Sequence, residues 1–341
     1  MIYTDPIRRR LPQSLKKGEI LRDRYKIREQ IGQGGTGSIY LAEDTRLEGR
    51  LCALKEVEHN QALPTEVFEQ AREQFFREAS VLARLDHPNL PKVSDYFSVN
   101  TRDYLVMDYV PGKDLRERMQ EARRNKSFIS ENEILRWAVQ IADALNYLHN
   151  QEPPIIHRDI KPSNLKITPS GLIKLVDFGL VKIMAPNEVT ITIIQGQGTA
   201  LYTPLEQYGG DDTHTDIRAD IFSFGATLYN LVTNEAPAEA RKRFLSTRSL
   251  TPPREINPNL SPRVEKAILW AMSLHPDDRP KTVIELREAL LGKKEIPERD
   301  DLSRPGYDMD MSSFSLYAQE QIAGYAAVGL FLIGLVITLL R

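Results

Sequence analysis

The chain holds a single cysteine, Cys52, among 341 residues, so no disulfide can form within it and the fold does not depend on an oxidising compartment. Cys52 stands in the apolar run Leu51-Cys52-Ala53-Leu54, which reads as core packing rather than as a reactive thiol. Neither sign of charge is in excess. The formal net charge is -2, which gives no electrostatic case for a nucleic-acid partner. The opening 24 residues are polar and basic and carry no apolar core of the signal-peptide kind, so no signal peptide is expected. No internal repeat is visible.

What is present is ordinary for a globular chain: 41% hydrophobic and 27% charged residues. The charge is uneven, however. Residues 1–28 carry nine Lys/Arg against three acids, the pattern of a solvated basic tail or of a segment drawn to an anionic lipid surface.

Residues 1–24 read as an irregular lead-in. From Tyr25 to Ile31 the apolar residues alternate, as in a half-buried strand. Ser38–Ala42 and Leu51–Lys55 read as two further strands, parted by the turn signal Glu48-Gly49-Arg50. Phe68, Ala71, Phe75, Ala79, Leu82 and Leu85 recur every three or four residues, which predicts a helix from about Thr65 to Leu85, stopped by His87-Pro88. Strands follow at Lys92–Phe97 and Tyr104–Met107. After Pro111-Gly112 the pattern turns helical. Ser130-x-x-Glu133 is a capping box opening a helix that runs to about His149. Asp220–Thr233 is an apolar helix, and Thr282-x-x-Glu285 caps a last one ending near Leu291.

Residues 292–321 form a polar linker with four Lys/Arg and seven acids. Residues 322–340 then run for 19 positions without a charge, about the length that crosses a ~30 Å hydrocarbon layer. The run is glycine-rich and has Tyr317 and Tyr325 near one end, as a membrane helix with an aromatic belt would. The expectation is a transmembrane helix at 322–340.

The motifs with chemical content lie upstream. Ile31-Gly32-Gln33-Gly34-Gly35-Thr36-Gly37-Ser38-Ile39 contains G-x-G-x-x-G, a weak signal alone. A strand, not a helix, follows it, so the glycines sit at a hairpin tip where bare backbone can lie over phosphates. Lys55, in Ala53-Leu54-Lys55, falls 18 residues after Gly37 on the third strand, and Glu78 on the long helix offers it a partner acid. Such a pair would hold the ammonium on nucleotide phosphates. The strongest segment is His157-Arg158-Asp159-Ile160-Lys161-Pro162-Ser163-Asn164, with Asp177-Phe178-Gly179 following 18 residues after Asp159. Phosphoryl transfer needs positioning and charge neutralisation, and these residues supply both. Asp159 would accept the proton of an attacking hydroxyl. Asn164 and Asp177 would offer hard oxygen ligands to Mg2+, and Lys161 would neutralise charge on the moving phosphoryl group.

On these residues, positions 25–291 resemble a protein kinase domain, close to the bacterial Ser/Thr kinases of eukaryotic type. The resemblance implies an α+β two-lobed fold: an N-lobe over 25–107, a hinge over 108–112 and a C-lobe over 113–291. It implies ATP and Mg2+ as cofactors, with Ile31, Gly32, Gly34, Gly35, Gly37, Ile39, Ala53, Lys55, Met107, Asp108, Val110, Leu165 and Asp177 against the nucleotide. Met107 would be the gatekeeper, Asp108-Tyr109-Val110 would hold adenine through backbone groups, and Val106 would line the same pocket. Lys161 and Gly198-Thr199 match the Ser/Thr pattern. Asp220 matches the aspartate that braces the catalytic loop, and Arg279 the arginine that pairs with the glutamate closing the activation segment. Here that closing sequence is Pro204-Leu205-Glu206 in place of Ala-Pro-Glu, so Glu206 survives and the proline is displaced.

By the same resemblance, Arg158 would meet a phosphate on the activation segment, and Thr190 and Thr192 are the expected autophosphorylation sites. The kinase domain would lie in the cytoplasm, where ATP is, anchored at the cell membrane by one pass. The linker has four Lys/Arg while only Arg341 lies beyond the span, in keeping with the positive-inside bias, and no extracellular domain is expected. Partners would be protein substrates bearing Ser or Thr, membrane lipid, and a second copy paired through Ala323 and Ala327. A catalytically inactive scaffold would lack Lys55, Asp159, Asn164 or Asp177, and all four are present. A small-molecule phosphotransferase would lack the Gly-Thr…Glu segment and the His275…Arg279-Pro280 element, and both are present.

Overall fold

The computed structural model describes residues 14–34, 37–58, 64–177, 182–183, 199–208, 216–246 and 249–297. The chain divides into two units, Met1–Ile296 and Pro297–Arg341, and every described strand and helix belongs to the first. The span expected at 322–340 lies outside the described residues. Among the described residues no helix is long and apolar enough to cross a membrane.

Alternating segments and short apolar runs together build the first sheet. It runs β1 (Ile20–Leu21), β2 (Tyr25–Gly34), β3 (Gly37–Asp44), β4 (Leu51–Glu58), β5 (Val93–Val99) and β6 (Arg102–Asp108), antiparallel throughout, in the order β1-β2-β3-β4-β6-β5. The lead-in is therefore shorter than expected. Ile20 and Leu21 pair with Lys26 and Tyr25 because Arg22 and Asp23 take left-handed conformations (φ 52° and 51°) and turn the chain back. One face of the sheet packs Tyr25, Tyr40, Leu54, Tyr104 and Val106 into a small core of its own. Tyr25, Phe97 and Tyr104 stack there, with ring centroids 5.6 and 5.4 Å apart. The opposite face presents Ala53, Leu105 and Met107 to the main core. Because successive strand residues point to opposite faces, Val106 turns away from the side that carries Ala53 and Met107. The expectation that Val106 lines the nucleotide pocket is corrected accordingly.

Helix α1 (Thr65–Leu82) stops three residues before the sequence pattern does. The Arg84 and Leu85 N–H groups reach back to Val81 and Leu82, tightening the last turn, yet Leu85 remains buried. The periodicity thus reported burial correctly beyond the end of the helix.

The second half opens with β7 (Lys113–Asp114) and α2 (Leu115–Arg124), capped by Asp114 and Glu117 in a reciprocal box. Helix α3 (Glu131–His149) follows, with Ser130 accepting from the Glu133 N–H. The return half of that expected box is absent, and Glu133 meets Arg118 instead. Three short strands, β8 (Ile155–Ile156), β9 (Leu165–Ile167) and β10 (Ile173–Leu175), frame the loops between them. β9 pairs with both β10 and β7, and β8 with β11 (Lys182–Ile183). Helices α4 (Arg218–Thr233), α5 (Ala240–Leu245), α6 (Pro253–Ile256), α7 (Pro262–Ala271) and α8 (Val283–Leu290) complete the unit.

Helix α4 is its axis. Every residue from Ala219 to Thr233 is buried, as an all-round apolar helix requires, and α3, α6, α7 and α8 pack on it. A Cβ on Gly225 would lie 2.8 Å from the Ala271 Cβ, so glycine there lets α4 and α7 approach.

Candidate active site

The strongly apolar α4 carries a polar stripe at Asp220, Ser223, Thr227 and Asn230, spaced three, four and three residues apart and hence on one face. Each side chain fixes a loop. Asp220 accepts from the backbone N–H of His157 and of Arg158 at 2.8 Å each, and lies 2.9 Å from His149 Nε2. Ser223 donates to the Tyr202 carbonyl (2.8 Å), Thr227 to the Ile160 carbonyl (3.1 Å), and Asn230 accepts from the Tyr202 hydroxyl (2.7 Å). Burial works against ionisation of Asp220, but the bond to His149 and the neighbouring His157 outweigh it and hold its carboxyl below the usual range. His157 is shifted down by its own burial, against the pull of Asp220, Asp159 and Asp177. Sequence reasoning found Asp220 and missed Thr227 and Asn230. Their signal was the 3.6-residue spacing of polar residues within an apolar run.

This scaffold presents the catalytic loop. Arg158 is buried with φ at 65°, a left-handed turn directly before Asp159. Asp159 Oδ2 accepts from Lys161 Nζ and from Asn164 Nδ2, both at 2.8 Å, and Asn164 Nδ2 also reaches the Asp159 carbonyl. Lys161 Nζ lies 3.1 Å from Thr199 Oγ1, tying the loop to the far end of the activation segment. Asp159 Oδ1 is buried with no hydrogen-bond partner among the described residues. Asp159, Lys161 and Asn164 are thus brought together as expected.

Asn164 and Asp177 also converge, because the Val176 N–H donates to the Asn164 carbonyl at 2.8 Å. The Asn164 amide nitrogen is spent on Asp159, while the amide oxygen takes only a long contact from the Ser163 hydroxyl at 3.4 Å and keeps a lone pair for a cation. That oxygen and the Asp177 carboxylate form a hard donor set suited to Mg2+. Burial opposes the charge on Asp177, yet Lys55 beside it prevails and keeps its carboxyl below the usual range.

On the nucleotide side, Gly34 pairs with Gly37 across the β2–β3 hairpin. Gly37 has φ at 144°, and a Cβ there would strike the Glu56 carbonyl oxygen at 1.9 Å, so only glycine fits. Ile31 is exposed at the strand edge, Ile39 is partly buried against the main core, and Gly32 lies over Ile39. Gly35 lies outside the described residues. Ala53, Met107, Val110 and Leu165 are all buried. The Asp108 N–H is taken by the Lys92 carbonyl at 2.9 Å, so it is not available to a base.

One expected contact is different. Lys55, buried on β4, pairs with Asp177 and not with Glu78. Glu78 instead accepts from Gln74, one turn earlier, at 3.0 Å. The cause is the seat of α1, which packs on β5 and β6: Phe76 lies against Tyr96, and Ser80 is 2.9 Å from the Tyr96 hydroxyl. The Glu206–Arg279 pair is present, at 2.6 and 3.0 Å through both guanidinium nitrogens. The displaced proline of the closing sequence leaves it intact. Thr190 and Thr192 lie outside the described residues.

The chain belongs to the protein kinase domain family, whose model matches residues 25–291. It is 36% identical over 291 residues to a probable serine/threonine-protein kinase of Clostridium acetobutylicum, covering 83% of this chain and 42% of that one. It is 31% identical to the serine/threonine-protein kinase PknB of Mycolicibacterium smegmatis, covering 80% and 43%. The chain thus spans about two fifths of the length of these relatives. The PknI kinase domain of Mycobacterium tuberculosis superposes with a TM-score of 0.61 at 27% identity, over 82% of this chain and all of that one. The two-lobed architecture is that of the family, which uses ATP with Mg2+.

Proposed function

We propose that the chain is a Ser/Thr protein kinase, transferring the γ-phosphoryl group of Mg-ATP to protein hydroxyls. One observation carries this reading. Asp159 has one carboxylate oxygen held by Lys161 and Asn164, and the other buried without a partner among the described residues. A carboxylate so fixed has one oxygen available to take the proton of an incoming hydroxyl.

The remaining roles follow from position. Lys55 is a buried ammonium with a single partner among the described residues, able to turn from Asp177 to nucleotide phosphates. Asn164 and Asp177 would hold Mg2+, which neutralises charge on the β- and γ-phosphates. Lys161 lies between Asp159 and Thr199, placed to meet charge that develops as the hydroxyl attacks.

Three finer proposals rest on the sequence. The kinase autophosphorylates at Thr190 or Thr192, with Arg158 meeting the phosphate. It is tethered at the cell membrane by residues 322–340, its catalytic unit in the cytoplasm. The span contacts lipid and pairs with a second copy through Ala323 and Ala327.

The test is phosphoryl transfer from labelled ATP with Mg2+ by the full chain in detergent or vesicles, using basic and acidic acceptor proteins. Asp159→Asn should lose on the order of 10²–10⁴-fold in rate while melting like wild type. Phosphoamino-acid analysis should return phosphoserine and phosphothreonine. Undiminished transfer by the mutant would sink the reading.

A further inference from the structure

Beside the catalytic loop the structure has a cavity of about 560 Å3. Its walls are one face of α2, the loop from Lys161 to Ser163, the segment from Thr199 to Tyr202, and the end of α4. Its charge is one-sided. Arg116, Arg123 and Lys161 line it, against the single acid Glu235.

The two arginines share the cavity face of α2 with Met119, since residues 116, 119 and 123 recur at three and four. Helix α2 packs directly on the turn Pro162–Asn164, which follows Asp159. Anything seated against the arginines therefore lies beside the phosphoryl-transfer residues. The three cations differ in commitment. Lys161 is engaged by Asp159 and Thr199. Arg116 makes one exposed contact to Asp114 at 3.3 Å. Arg123 makes no ion pair with any described residue. It sits in the last turn of α2, where the helix dipole favours a cation and keeps it in place.

We propose that this cavity reads an acidic side chain of the protein substrate, near the phosphoacceptor, with Arg116 and Arg123 as its specificity-determining residues. The proposal rests on the kinase reading and adds to it the substrate class. Guanidinium groups meet carboxylates through paired N–H donors, which gives direction as well as charge. A basic side chain in the same place would face Arg116 and Arg123 beside a Lys161 already engaged by Asp159, with Glu235 the one acid in the lining. The neutral Ser163 on the catalytic loop leaves this positive field in place.

The test uses the full chain and a peptide set with one Ser or Thr acceptor. Each of four flanking positions on either side is varied among Ala, Glu, Lys and phosphoserine. Wild type should prefer Glu over Ala by about tenfold in kcat/KM at one or two positions, chiefly through KM, with Lys poorest. The preference should shrink as salt rises, because the arginines are exposed. Arg116→Ala and Arg123→Ala should each move the Glu-to-Ala ratio toward one, and the double variant R116E/R123E should favour Lys, with thermal melting as the check on folding. Phosphoserine outperforming Glu would keep the anion site and identify phosphate as what it takes. Equal use of Ala, Glu and Lys peptides by an active wild type would overturn the cavity proposal and leave the kinase reading standing. Transfer to none of the peptides or acceptor proteins would overturn both.

Discussion

Two ion pairs, Arg279–Glu206 buried on both sides and Lys55–Asp177 reaching solvent through its carboxylate, divide the labour of this protein between holding and doing. Arg279 spends all five of its donors. They go to both oxygens of Glu206 and to the carbonyls of Ser273, Leu274 and Arg218. Its side chain is fully buried and Glu206 nearly so, and Phe222 lies under the guanidinium at 5.0 Å. Such a charge has one stable arrangement, because every alternative leaves donors unpaired away from water. Lys55 is also buried, but among the described residues it spends one donor of three, on a carboxylate still 28% exposed. Its charge has room to change partner. A charge bonded on every side is architecture, and one bonded on a single side is free to act.

Breaking the first pair should cost most. Arg279→Met leaves Glu206 charged and buried, and should destabilise by about 3–5 kcal/mol in denaturant unfolding. A loss below about 1 kcal/mol would dissolve the contrast, since an exposed pair gives as little. Asp220→Asn comes next. It keeps the shape but weakens charge-assisted bonds to the His157 and Arg158 N–H groups, and should cost about 1.5–3 kcal/mol. Phosphoryl transfer should fall with it, because those bonds set the loop that carries Asp159.

Lys55→Met should invert the pattern. Stability should change by about 1 kcal/mol or less, since Asp177 can turn to water, while transfer falls by orders of magnitude. A large loss of stability would make Lys55 architectural too. The mildest probe is pH. His157 titrates below its ordinary 6.5 through burial, so the unfolded chain takes up that proton first and stability declines as pH falls below 6.5. Asp177 and Asp220 titrate below their ordinary 3.8, so a second decline follows as pH falls through that range toward their folded values. Denaturant midpoints at pH 7.5, 5.5 and 3 should fall in that order. In Asp220→Asn the second decline should shrink, because one of the two carboxyls behind it is gone.

The catalytic loop was legible in the residues because its chemistry constrains identity and spacing within a few positions. His157 to Asn164 is such a segment, and Asp177 follows at a fixed distance. Strands β2 and β3 were legible because burial of one face imposes alternation, and β4 and β6 because burial of both faces makes them short apolar runs. Strand β1 was not, since two residues carry no period, and the left-handed turn at Arg22 and Asp23 has no glycine to announce it. The partner of Lys55 was not legible either. Lysine and glutamate types permit a pair, but the seating of α1 on β5 and β6 decides whether they meet.

By itself, the sequence determined which groups carry the chemistry: a carboxylate base, a lysine for phosphates, hard oxygens for a cation, and glycine where Gly37 meets the Glu56 backbone. Local spacing sets these, and local spacing is written in the chain. Tertiary structure alone decided what those groups face. It placed the polar stripe of α4 under two loops, left one oxygen of Asp159 without a partner among the described residues, and set Arg116 and Arg123 beside Lys161. Those juxtapositions join residues far apart in sequence, and only the packing of helices and sheet into one core fixes their distances.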